Sequence, residues 1–393
     1  PAVVAEEFRS TADFPASTDV LVPSGAKARA RANLAAIELV HTLRDAGRPA
    51  TLPEQRILAA WSGWGAIPQV FDPRAEDFAA ERARLAGLLT PEQYRRAQAS
   101  ILNAHYTDPA VVSAVWDALG AAGFSGGPVL EPGCGSGTFI GHAPEGATLV
   151  GVEADDITAA IASLLYPSAQ VRHEGFETTR VPDGSFTAAI GNVPFGRYAL
   201  TDPLHNPRRH SIHNHFIVKS LSLVAPGGYV AVLTSRYTMD SVKTTARQDI
   251  AQRADLIGAL RLPSQAFSRV AGTEVVTDLL IFRRREEGVQ VDLDTLDWIN
   301  TEDADLVDPR TGGEEQVPVN AYFLNNPHRV LGATELGHGL HGSPQLAVVG
   351  ATGHDLADQI RDQLQPMMAA AVARGRGLTA RSEDLSGGIE DGF

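Results

Sequence analysis

The spacing of apolar positions divides this chain into three stretches. Up to about residue 102 the period is helical. Leu34, Ile37, Val40 and Leu43 recur every three or four residues in an Ala- and Arg-rich run over residues 25–46, which predicts a helix with one apolar face. A second helix is expected over 53–61, followed by an aromatic, Gly-rich packed loop over 61–71. Thr90, Pro91 and Gln93 supply an N-cap, a first-turn Pro and a third-position Gln, so a helix should run from there to about residue 100. Residues 1–24 show no period. A further helix should open at Thr107 or Asp108, just before Pro109, and continue through Leu119.

From about residue 128 to 283 the pattern changes to short apolar runs alternating with helical segments, the signature of an α/β domain. Strands are expected at 129–131, 148–153, 188–191, 229–234, 256–262 and 275–282, with helices at 156–166, 213–224 and 241–254. After Arg285 the texture is acidic and turn-rich, then rich in Gly and His, then amphipathic over 355–374. The last residues, 375–393, read as a frayed end or a linker. The expected organisation is a mostly helical N-terminal lobe (1–102), an α/β domain (103–285) and a mixed C-terminal extension (286–393) that could contact nucleic acid.

Composition narrows the class. Hydrophobic residues make up 44% and charged residues 20%, which fits a globular chain and not a disordered one. No apolar run approaches the length of a membrane span, and the N-terminus lacks the features of a signal peptide, so a cytoplasmic location is expected. The missing initiator Met points to processing or trimming. Cys134 is the only cysteine, which rules out an intrachain disulfide and a multi-cysteine zinc site. A net charge of −14 is unusual for a nucleic-acid binder. Basic residues nevertheless gather after residue 196, and Arg208, Arg209, His213, Arg236 and Lys243 are the candidate phosphate contacts. His205, His210, His213 and His215 fall close together without Cys or Asp at zinc-like spacing, and the expectation is a solvent-facing loop with no metal.

The candidate chemistry begins at residues 128–139. Val129 and Leu130 lead into Glu131, Pro132 and alternating glycines at 133, 135 and 137, a turn that lets backbone approach a ligand ahead of a helix. Glu153 ends the next apolar run, eighteen residues after Gly135, where a ribose-binding carboxylate belongs. The third run ends in Asn192-Val193-Pro194-Phe195-Gly196. As a turn after a strand this last segment could be purely structural.

Together the three runs resemble S-adenosylmethionine-dependent methyltransferases acting on an exocyclic amino group. That resemblance implies a Rossmann-like class I methyltransferase sheet, mostly parallel with a final antiparallel hairpin. It implies a cofactor site built from Tyr106, Thr107, Glu131, Pro132, Gly133, Cys134, Gly135, Gly137, Thr138, Phe139, Glu153, Ala154, Glu174, Phe176 and Asn192. Cys134 is read as a small loop residue, not a nucleophile. The family's acceptor motif is Asn or Asp, Pro, Pro, then Tyr or Phe. Here Val193 replaces the first Pro, which is acceptable because the working group is its main-chain carbonyl; a Pro there is expected to stiffen the turn at no cost to activity. Asn192 and that carbonyl would receive the amino hydrogens while Phe195 stacks on an extruded base.

Segments such as Asn103-Ala-His-Tyr-Thr107 and Thr234-Ser-Arg-Tyr-Thr-Met-Asp240 look more specifically like the methylase part of phage and plasmid methylase–helicase fusions. The expectation is an adenine-N6 DNA methyltransferase with S-adenosylmethionine as cofactor, DNA as substrate, and a helicase or other defence-system partner outside this chain. RNA or a protein glutamine amide as acceptor, and a non-catalytic module of a defence complex, are the competing readings.

Overall fold

Continuous apolar runs become the buried strands of a single seven-stranded sheet. The computed structural model describes residues 12–17, 19–102, 107–266, 276–338 and 344–379. The strands are β1 (Gly127–Pro132), β2 (Ala147–Glu153), β3 (Gln170–His173), β4 (Phe186–Asn192), β5 (Val224–Ser235), β6 (Ala254–Arg261) and β7 (Thr277–Arg284). Their order is β3-β2-β1-β4-β5-β7-β6. Pairings from β3 through β5 are parallel, and β7 runs antiparallel to both β5 and β6. This is the expected Rossmann-like α/β sheet of the class I methyltransferase type, mostly parallel and closed by an antiparallel hairpin.

Both faces of the sheet are covered, which is why its strands lack alternation. Val129, Ala188, Ile190, Ala231, Leu233 and Ile281 point into one core. Their neighbours Leu130, Ala189, Val230, Val232, Leu280 and Phe282 point into the other. The first core is roofed by the N-terminal helices, the Pro109–Ala121 and Asp156–Leu165 helices, and the C-terminal Leu356–Ala373 helix. The second is covered by the Ile212–Leu223 and Thr245–Arg253 helices and by hairpin residues from the C-terminal stretch, among them Val317, Val319, Leu346 and Val348.

The N-terminal helices start where their caps dictate. Thr90 accepts from Gln93 N while the Gln93 side chain accepts from Thr90 N, completing the expected capping box for Pro91–Ala99. Thr51 and Glu54 form a second one. Several elements have no counterpart in the apolar pattern. They are the Ala79–Leu88 helix, β3, and two further hairpins, Thr301–Val307 with Glu314–Asn320 and Ala333–His338 with Pro344–Val349. The stretch read as acidic and turn-rich is largely the first of these hairpins.

Candidate functional site

The carboxyl ends of β1, β2 and β4 open into one cleft of about 650 Å³, within the size range of small-molecule sites. Gly133, Gly135 and Gly137 have left-handed φ values of 71°, 54° and 84°, and the turn they make brings Gly133 N and Cys134 N to the Val152 carbonyl at 2.8 and 2.9 Å. The loop is thereby stitched to the end of β2. Cys134 is buried against Gly151, where a Cβ would lie 2.8 Å from its Sγ. Burial raises the thiol's pKa well above its ordinary value, so the loop-filling reading of Cys134 fits its surroundings.

The carboxylates that end β1 and β2 face the cleft with no ion-pair partner among the described residues. Glu153 accepts from Gly135 N at 3.0 Å and from Asp155 N at 2.8 Å, yet desolvation lifts its pKa to about 7. Glu131 is buried, and desolvation raises its pKa as well, against the hydrogen bonds it accepts from Ile140 and Phe139. Its Oε2 has no hydrogen-bond partner among the described residues. A buried carboxylate oxygen left without a donor suits a cationic or hydroxyl-bearing ligand.

Among the expected cofactor residues, Thr107, Glu131, Gly133, Cys134, Gly135, Thr138, Phe139, Glu153, Ala154, Glu174, Phe176 and Asn192 all line this cleft. Tyr106 lies outside the described residues. Pro132 ends β1 and Gly137 is in the loop, and neither lines the cleft. Glu174 is ion-paired to Arg172 at 2.7 Å, and Glu177 also lines the wall. Phe176 is buried and tilted against Phe216 at 4.7 Å between ring centroids.

The end of β4 brings the acceptor segment to the same place. Asn192 Nδ2 donates to Thr107 Oγ1 at 3.2 Å, joining residues 85 positions apart. Val193 is buried in the second core and its N–H donates to Leu233 O at 3.0 Å. Pro194 and Tyr198 line the cleft; Phe195, half-buried, does not.

The histidines differ from expectation. All four are buried, and they sit in a charged layer behind the acceptor segment instead of facing solvent. Asp202 Oδ2 takes Lys219 Nζ at 3.0 Å and His215 Nε2 at 3.1 Å, and Asp249 takes His210 at 2.6 Å. Burial alone would raise Asp202, but Lys219 and His215 hold it down to about 2. His213 contacts Ser211 Oγ at 2.9 Å, and burial pushes its imidazole down to about 4. Asp202, just ahead of the run, and Asp249, 39 positions after His210, make this burial possible. Among the described residues no group of three His, Cys, Asp or Glu side chains could hold a metal ion.

Of the residues expected to meet phosphates, Arg209 and Lys243 are exposed. Arg208 is exposed too, and is paired to Asp249 at 2.6 Å. Arg236 is buried and paired to Asp240 at 3.0 Å, and His213 is inside the layer. Arg247 and Arg261 are buried as well, the latter between Asp240 and Asp278 at 2.8 Å each. Much of the basic cluster is therefore spent inside the protein. The N-terminal lobe contributes to the cleft through Trp61, Gly63, Trp64, Arg96, Ala99 and Ser100, none of them among the expected site residues.

No family model matches the chain. A relative, the defense against restriction protein B of Escherichia phage P1, is 27% identical over 261 residues. That span is 65% of this chain but only 10% of the relative, so the two share a small part of a much longer protein. Among solved structures, a type I restriction-modification system methyltransferase subunit from Streptococcus thermophilus aligns at a TM-score of 0.44 and 13% identity, covering 88% of this chain and 79% of that one. A TehB-like S-adenosylmethionine-dependent methyltransferase from Corynebacterium glutamicum aligns at 0.32 and 14%, covering 49% and 95%. No helix among the described residues is long and apolar enough to cross a membrane.

Proposed function

We propose that this chain is the catalytic part of an S-adenosylmethionine-dependent methyltransferase acting on the N6 amino group of adenine in DNA. The observation that carries the reading is convergence: the glycine loop, Glu153 and Asn192 come from three separate runs and line one cleft. S-adenosylmethionine would supply an electrophilic methyl group on a sulfonium. Glu153 suits the ribose hydroxyls, Glu131 the ammonium of the amino-acid end, and Phe176 the adenine face.

At the acceptor, an adenine amino group is a poor nucleophile because its lone pair is delocalised into the ring. Asn192 Oδ1 and the Val193 carbonyl would accept its two hydrogens, favouring a tetrahedral nitrogen with a lone pair free to attack. Thr107 Oγ1, which takes the Nδ2 hydrogen, fixes the amide so that its oxygen faces the other way. After methyl transfer the cationic nitrogen loses a proton to solvent. Pro194, Phe195 and Tyr198 would border an extruded base.

Arg208, Arg209 and Lys243 are the proposed outward phosphate contacts. His213 and Arg236 act from inside, holding the loops that present them. The phage relative's name, defense against restriction, supports DNA as substrate; the helicase or other defence-system partner rests on the methylase–helicase resemblance, with the 286–393 extension as one candidate DNA contact. Incubation with tritiated cofactor and unmethylated genomic DNA, then nucleoside analysis, tests the proposal. N6-methyladenine is expected. Label only in N4-methylcytosine, RNA or protein would overturn it.

A further inference from the structure

Trp61 is 2% exposed, lines the cleft, and its indole Nε1–H is buried with no hydrogen-bond partner among the described residues. Buried indole N–H groups ordinarily find an acceptor, as Trp116 does on the Phe139 carbonyl at 2.9 Å. Trp61 is also held firmly. Asn33 clamps its loop by donating to Gly63 O at 2.6 Å and accepting from Ser62 N at 3.0 Å. Trp64 packs edge-on against the Trp61 ring at 5.7 Å, and Phe71 against Trp64 at 5.4 Å. A ring fixed this way cannot swing out to find another acceptor.

Its position along the cleft indicates what the missing acceptor is. Trp61 also borders a smaller recess with Thr107, Ser136 and Thr138, at the start of the short helix whose Phe139 and Ile140 N–H groups bind Glu131. Glu153 and Phe176 line the cleft but not this recess. Glu131 can take an ammonium but repels a carboxylate. A zwitterionic amino-acid group therefore needs a neutral or positive donor close to Glu131, and the described loop residues leave the indole N–H unused.

Resting on the cofactor reading above, we infer that Trp61 of the N-terminal lobe donates its indole N–H to the carboxylate of the cofactor's amino-acid end. The lobe then completes the cofactor site and does more than cover the sheet.

The test compares S-adenosylmethionine with its decarboxylated analogue by calorimetry on the whole chain. Wild type should prefer the intact cofactor by about tenfold or more, the worth of one hydrogen bond to a charged group. Trp61→Phe, which keeps a ring and removes the N–H, should erase that preference and bind the analogue as wild type does. A retained preference, or equal loss for both ligands, would overturn the inference. Wild type that binds neither ligand would instead remove the cofactor reading beneath it. Indole ¹⁵N spectra of wild type give a readout that depends on no variant. The Trp61 resonance, assigned through its contact with the Trp64 ring, should move with the intact cofactor and not with the analogue; an unmoved resonance overturns the inference.

Discussion

Two groups of buried acids lie on either side of the acceptor segment and are treated in opposite ways. Glu131 and Glu153 are desolvated with no cationic partner among the described residues, and both are raised, Glu153 to about 7. Asp202 is buried too, more deeply than Glu153, but Lys219 and His215 hold it down to about 2. Compensated acids are part of the architecture; uncompensated acids at a cleft wall mark a place kept for something else. The two groups are also joined. Lys219 donates to the Phe176 carbonyl at 2.6 Å and lies 4.9 Å from the centre of its ring, so the compensated layer holds an aromatic of the uncompensated site.

The contrast breaks most visibly at Asp202. Asp202→Ala leaves an ammonium buried without its carboxylate, and should cost roughly 3–5 kcal/mol of stability in urea or thermal unfolding. Its depressed pKa gives stability that is full above about 3.8 and lost as pH falls through about 2. Glu153→Ala should cause no comparable loss. If both variants unfold alike, the distinction between the two groups fails.

Next in size is Asn192→Ala. Loss of one oriented polar group at the reacting nitrogen should lower turnover by on the order of 10²- to 10³-fold, with cofactor affinity nearly unchanged. Steady-state rates and calorimetry separate the two. A variant that instead loses cofactor binding would make the segment a structural turn.

Glu153 gives smaller effects of two kinds. Glu153→Ala should weaken cofactor binding by about tenfold or more, since it removes hydrogen bonds to a charged acceptor. The pH dependence sharpens this. A carboxyl with a pKa of about 7 must lose its proton to receive the ribose hydroxyls, so affinity should fall by roughly tenfold from pH 8 to pH 6. Glu131, raised too, adds in the same direction, and the part of the slope that vanishes in Glu153→Gln belongs to Glu153. Stability has the opposite slope. The folded chain holds a proton that the unfolded chain releases between about 4.5 and 7, so the wild type should lose stability as pH rises through that window, more than Glu153→Gln does.

Much of this was legible in the sequence because strands buried on both faces write themselves as unbroken apolar runs. Val129-Leu130 and Leu279–Phe282 send alternate side chains into different cores, so nothing polar interrupts them. β3 was not legible: it is a four-residue edge strand with partly exposed side chains. The Thr301–Val307 hairpin was missed because its acids face outward, and only residues such as Leu306 mark the inner face. Within the site, the motif residues could be placed by spacing. Trp61 and the Asp249 partner of His210 could not, because their contacts join distant parts of the chain and follow no period.

The smallest effect tests a detail of the acceptor turn. From sequence, Pro at position 193 looked harmless or helpful, since only the carbonyl was thought to work there. The structure adds a cost in stability, because the Val193 N–H donates to Leu233 O at 3.0 Å and extends the parallel pairing of β4 with β5 by one bond. Proline has no N–H to give. Val193 is also buried in the second core, where its isopropyl group is packed. Val193→Pro should therefore lower stability by about 1 kcal/mol, the net worth of one such bond, with any loss of packing added to it. Turnover should stay within a few-fold of wild type, because the carbonyl remains and Asn192 keeps its tie to Thr107. Equal unfolding midpoints with faster turnover would show that stiffness of the turn outweighs the bond; a drop in turnover as large as that of Asn192→Ala would show that the acceptor geometry depends on the ladder itself.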